Sequence, residues 1–210
     1  MTEQGVNAVV FDLGGVLIDW NPRHLYRRLF ADERSMDEFL ATICTDEWHR
    51  PHDLGVDIDA SCRELARVHP EYQDMIMVWA ERHEEMAAGQ LDETVEVLRA
   101  LKAAGVRCYA LSNMEPGAFA IRQQRFAFMS WFDGYVVSGL EGVSKPDRRI
   151  FDILLQRYRL EPGGCVLIDD SPRNVQAARE LGMIGLHFTS APQLRADLGD
   201  LGFGDLGKAG

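Results

Sequence analysis

From Leu91 onward the chain alternates short apolar runs with amphipathic stretches, and that alternation admits few folds. Residues 92–104 predict a helix, with Val95, Leu98 and Leu101 on one face and Gly105 as its stop. A strand over 106–111, a helix over 116–125, a strand over 135–138 and a helix over 147–158 follow. Then come a strand over 165–168, a helix over 172–181 stopped by Gly182, a strand over 184–188 and a short helix over 192–198. Strand–helix repetition of this kind predicts a parallel sheet with helices on both faces. Far upstream, residues 6–12 (VNAVVFD) read as one more buried strand, and Leu13-Gly14-Gly15 must turn the chain sharply after it. Between that strand and the rest lie about seventy residues, from Trp20 to Gly89, with helical periodicity at 22–30, 36–42, 59–68 and 72–88 and no strand signal. Pro51, Gly55 and Pro70 punctuate them. The expected architecture is an α/β core from residues 1–18 and 90–210, with an all-α helical cap, residues 19–89, inserted into it.

Composition narrows the function. The chain has 210 residues, the size of one domain or one domain with an insertion. Acidic residues number 33 against 22 basic, a formal net charge of −11, which opposes binding to nucleic acid or to an anionic membrane surface. No apolar run approaches the ~20 residues of a membrane helix. The first residues, Met-Thr-Glu-Gln-Gly, lack the basic start and apolar core of a secretory signal, so a cytoplasmic protein is expected. Cys44, Cys62, Cys108 and Cys165 have no paired spacing and are expected as buried, reduced side chains, not zinc ligands or disulfides. The loose glycine-rich stretch 202–210 reads as a tail.

In an open parallel sheet, ligands bind beyond the carboxyl ends of the strands. Asp12 follows the first strand, Ser112 and Asn113 the second, Lys145 and Pro146 the loop after the third, and Asp169, Asp170 and Ser171 the fourth. One aspartate at a strand end is usually a turn former or a helix cap. Three carboxylates, a hydroxyl, an amide and a lysine converging on one sheet edge are harder to explain as structure. The ordered segments FDLGGVLID, LSN, KP and IDDSPRNVQAA resemble the four motifs of the haloacid dehalogenase superfamily. The resemblance implies a Rossmann-like core, a helical cap between the first two motifs and a carboxylate nucleophile. On it, Asp12 would attack phosphorus and form an aspartyl phosphate that water hydrolyses. Asp12, Asp170 and the backbone carbonyl of Gly14 would hold Mg²⁺, with Asp169 a water-mediated or supporting ligand. Ser112 and the Asn113 backbone N–H would hold phosphate oxygens, and Lys145 would neutralise charge on the transferring group. Asn174 would orient the Asp170 region.

One position departs from the pattern. Most phosphatases of the superfamily carry a general acid two residues after the nucleophile, and here that residue is Gly14. Losing a general acid costs about 10²–10⁴ in rate unless the leaving group departs easily or another group supplies the proton. Rate should therefore depend steeply on the leaving group, Asp19 is a candidate substitute acid or hinge residue, and an aspartate introduced at Gly14 would press on the glycine turn. The missing acid also admits a metal-independent 2-haloacid dehalogenase with Asp12 as nucleophile, because halide leaves without a proton. Such relatives lack an acidic pair after the fourth strand, and Asp169-Asp170 favours the metal-dependent phosphatase. A third reading is a catalytically impaired phospho-ligand-binding protein.

The cap should select the substrate, and a closing cap favours a small phosphorylated metabolite such as a sugar phosphate. Trp20, Asn21 and Arg23 leave the catalytic loop and are expected to face the site. Trp48 and Arg50 lie in a polar, aromatic cluster that reads either as a substrate lid or as a packed tryptophan with solvated charges. His49, His52 and Asp53 read as a surface pair beside an acid or, less simply, a metal site. Met75, Met77, Trp79 and Met86 read as cap packing, and Glu81, Glu84 and Glu85 with Arg82 and His83 as a solvated helix face.

Overall fold

The computed structural model describes residues 6–204, so the expectations for the first five residues and for 205–210 lie outside the described residues. Among the described residues, seven strands form two sheets. The main one contains β1 (Ala8–Phe11), β4 (Arg107–Ser112), β5 (Gly134–Val137), β6 (Cys165–Asp169) and β7 (Ile184–His187), in the order β5-β4-β1-β6-β7, with every neighbouring pair parallel. A two-stranded antiparallel ribbon joins β2 (Ile18–Trp20) to β3 (Ala87–Gln90).

The near-continuous apolar runs of the central strands follow from burial on both faces. Alternate residues of β1 enter opposite cores. Val9 and Phe11 join the helices Asp92–Ala103, Pro116–Arg125 and Ala191–Leu198, whereas Ala8 and Val10 join Arg148–Tyr158 and Pro172–Glu180. Phe132 packs edge-on to Phe11 at 6.2 Å. The four cysteines are buried and free.

The helices Glu33–Thr42, Ile58–Val68 and Gln73–Arg82, with shorter turns between them, enclose a third core built on Tyr26, Phe39, Ile76 and Trp79. Asp32 and Asp57 cap the first two helices through their side chains, accepting from Ser35 N and Ala60 N. Two expectations fail here. The helix expected over 22–30 is regular only at Arg23–Tyr26, and the one over 72–88 ends at Arg82, giving way to a 3₁₀ turn at His83–Met86 and then to β3. The ribbon was invisible because its strands are three and four residues long, and Ala-Ala-Gly-Gln has little β preference of its own. Pairing Asp19 with Gly89 ties entry and exit of the helical insertion together, and the register shifts between Asp19 and Trp20. No helix among the described residues is long and apolar enough to cross a membrane.

Candidate active site

The parallel sheet delivers the expected groups to one edge. Asp12 directly follows β1, whose pairing continues as Asp12 N donates to Ile168 O at 2.9 Å. Its carboxylate is held by Leu13 N on Oδ1 at 2.7 Å and by Lys145 Nζ on Oδ2 at 2.9 Å. Lys145 is itself buried, and its ammonium satisfies all three donors: Asp12, Asp169 Oδ2 at 2.6 Å and Leu111 O at 2.7 Å. Burial opposes its charge, but Asp12 and Asp169 outweigh that and hold it above the ordinary lysine range. Burial pushes Asp12 up to about 7, against the attraction of Lys145.

Asp169 is fully committed. Besides Lys145, it accepts from Ser171 N and Asn174 Nδ2, both at 2.9 Å on Oδ1. Within the Asp170 region, Asn174 thus acts on Asp169. Asp170 is more open, and burial followed by the Asp169 charge raises its carboxyl. Ligand oxygens of Asp12, Asp169 and Asp170 lie within 4.8 Å of one another, a cluster of hard donors whose chemistry fits Mg²⁺. Gly15 makes room for it: its φ is +71°, and a Cβ there would stand 2.2 Å from Asp170 Oδ2. Gly14 differs, because a Cβ would meet nothing nearer than Trp20 Cβ at 3.9 Å and its φ is ordinary. The strain expected at Gly14 therefore belongs to Gly15.

Ser112 ends β4, buried, and lines the cavity above the sheet edge. Asn113 uses its side chain differently from a phosphate ligand: Nδ2 donates to Lys145 O at 3.0 Å and Oδ1 accepts from Lys145 N at 2.9 Å. The loop after β4 thereby positions the lysine.

The cavity measures about 380 Å³ and lies between this edge and the helical insertion. Trp20, Asn21 and Arg23 line it as expected, Trp20 stacked on His49 at 5.4 Å and Arg23 paired with Asp37 at 2.8 Å. Trp48 and Arg50 do not line it. Trp48 packs edge-on against Trp79 at 5.3 Å and His52 at 4.8 Å, and Arg50 is exposed, so the packed-tryptophan reading holds over the lid. Asp19 does not line it either, because His24 pairs with it at 2.8 Å on the ribbon. His49, His52 and Asp53 form no metal cluster: the two imidazoles pack on each other and on Trp48 and Trp79, and burial drives His49 down to about 4.

A polar wall of the cavity has no motif in the sequence. Arg122, from the helix Pro116–Arg125, is buried and approaches Glu84 at 3.8 Å, while His83 lies 3.3 Å from Glu84 and 3.5 Å from Glu115. His83 and Glu84 are therefore not on a solvated face. Arg122 was detectable, since it falls in the same helical stripe as Ala118 and Phe119. Asp53, expected only as the acid beside the histidine pair, also lines the cavity, and burial raises it to about 6.

A family model described as haloacid dehalogenase-like hydrolase matches residues 6–182. The chain belongs to that family, and it is an enzyme, a phosphatase-like hydrolase. It is 28% identical over 197 residues to a sesquiterpene phosphatase of Aspergillus oryzae, covering 88% of this chain and 90% of the relative. It is also 28% identical over 192 residues to a phosphorylated carbohydrates phosphatase of Thermotoga maritima, covering 85% and 82%. A haloacid dehalogenase family enzyme of Bacteroides thetaiotaomicron, solved in complex with magnesium and inorganic phosphate, shares the fold with a TM-score of 0.62 at 18% identity, over 88% of this chain and 95% of that one.

Proposed function

We propose that this enzyme is a Mg²⁺-dependent phosphomonoesterase acting on small phosphorylated metabolites of the sugar-phosphate type. The observation that carries the reading is the buried Lys145, which bridges Asp12 and Asp169 beside an open Asp170. Leu13 N and Lys145 orient the Asp12 carboxylate, which attacks phosphorus and takes the phosphoryl group as an acyl phosphate. Ser112 and the Asn113 backbone N–H hold phosphate oxygens, and the Lys145 ammonium offsets charge on the transferring group. Water then attacks the acyl phosphate and releases inorganic phosphate and free Asp12. Asp12, Asp170 and the Gly14 carbonyl are the residues that would hold Mg²⁺, with Asp169 supporting from behind. The ion would supply positive charge where two anions must meet.

Asp170 also argues against the dehalogenase reading. Without a cation, its carboxylate would stand beside Asp12 facing an anionic substrate. The cavity volume suits a small molecule, and the helical segment 19–89 acts as the cap that encloses it. Its wall mixes indole and methionine surface (Trp20, Trp79, Met86) with Arg122, His83 and Glu115, which suits a hydroxylated leaving group better than a wholly apolar one. A panel of sugar phosphates, nucleotides and isoprenoid phosphates, assayed with Mg²⁺, tests this. Preference for the sugar phosphates is expected; preference for the isoprenoid esters would contradict the substrate class.

A further inference from the structure

What the catalytic edge lacks is a proton donor for the leaving oxygen. Gly14 offers none, and Asp19 is turned to His24 outside the cavity. Besides Asp12 and Asp170, the carboxylates lining the cavity are Asp46, Asp53 and Glu115. Asp46 is exposed in the first turn of its helix, and Glu115 faces His83 at 3.5 Å. Asp53 is set apart by how it is held. It lies in the helical insertion, in the 3₁₀ turn Arg50–Leu54, yet its backbone is fastened to the core. Ser138 Oγ donates to Asp53 O at 2.5 Å and accepts from Met114 N at 2.9 Å. Met114 immediately follows Ser112 and Asn113, so one buried hydroxyl ties the Asp53 turn to the loop that faces the phosphate. The Asp53 side chain is only 20% exposed, in the same cavity as Asp12.

We infer that Asp53 is the general acid and base of this enzyme, delivered over the catalytic edge by the cap instead of by the loop after β1. The inference rests on the phosphomonoesterase reading. As Asp12 Oδ bonds to phosphorus, the bond from phosphorus to the ester oxygen breaks, and that oxygen takes the proton of the Asp53 carboxyl. In the second half-reaction the Asp53 carboxylate takes a proton from the attacking water, whose oxygen bonds to phosphorus as the bond to Asp12 breaks. The proton returns to Asp53 and the cycle closes. The surroundings suit both roles. Burial raises the carboxyl, Lys145, Arg122 and Arg50 draw it back down and Glu115 raises it, giving a value of about 6. His49 Nε2 stands 3.8 Å away. This donor replaces the steep leaving-group dependence that Gly14 alone would impose.

The test compares two esters of similar shape, p-nitrophenyl phosphate, whose leaving group needs no proton, and benzyl phosphate, whose leaving group does. kcat/KM is measured for both with Mg²⁺ in the wild type and in Asp53→Asn. The expected result is a loss concentrated on the benzyl ester, so that the ratio of benzyl to p-nitrophenyl turnover falls by roughly 10²-fold or more. An equal loss on both esters, or no loss on either, overturns the assignment. If the wild type hydrolyses neither ester, the phosphomonoesterase reading falls and takes the proton donor with it, an outcome distinct from a wild type that works and a variant that loses no selectivity.

Discussion

Lys145 shows how far one side chain determines this site. Its three donors are spent on two carboxylates and a carbonyl, and its side chain is fully buried beneath the cavity. Lys145→Met should leave two facing carboxylates without their cation and lower the unfolding free energy by about 3–5 kcal/mol in urea denaturation. A loss below ~1 kcal/mol would mean that the pair is not buried as described. Asp12→Asn should fold normally and lose turnover, and retention of more than a few per cent of activity would exclude Asp12 as nucleophile. The adjacent glycines should part company on substitution. Gly15→Ala forces a Cβ onto the Asp170 carboxylate at positive φ and should cost both stability and activity. Gly14→Ala places its Cβ at ordinary contact distance, 3.9 Å from Trp20 Cβ, and should unfold at nearly the wild-type midpoint. Equal thermal midpoints for the two variants would contradict the turn geometry.

Among elements, the parallel strands and their helices were legible because each carries its own signal, an apolar run or a helical stripe with a glycine stop. Asp12, Ser112, Asp169 and Asp170 were legible as polar residues at the ends of apolar strands, and Lys145 as the lysine before a proline in the loop after the third strand. What escaped was set by partners distant in sequence: the ribbon β2–β3, formed across the insertion, and the Asp53 turn, anchored by Ser138 some 85 residues away. His49 belongs to this second kind, stacked on Trp20 from the ribbon. Burial, with His52, His83 and Arg122 adding to it, holds it near 4, against 6.5 when free. As pH falls through 6.5 the unfolded chain binds a proton that the folded chain refuses, so the stability due to His49 is full above 6.5 and is lost towards 4. Asp12 and Asp53 act oppositely, since raised carboxyls bind protons first in the folded state. The comparison must therefore be with His49→Gln. The stability of the wild type relative to that variant should fall by on the order of 1–2 kcal/mol between about pH 7 and about pH 5. A constant difference would mean that His49 is solvated.

At the scale of the whole molecule, a strongly acidic chain gathers three carboxylates at one sheet edge and closes an insertion over them. Net charge alone makes that edge repulsive to any phosphate ester, and Lys145 offsets only part of it. Turnover of a phosphate ester at this edge therefore requires the divalent cation. The direct measurement is parallel release of phosphate from p-nitrophenyl phosphate and of chloride from L-2-chloropropionate, each in EDTA and after Mg²⁺ is restored. Phosphate release should vanish in EDTA and return with Mg²⁺, with no chloride released under either condition. Chloride release that persists in EDTA, or phosphate release indifferent to chelation, would contradict it.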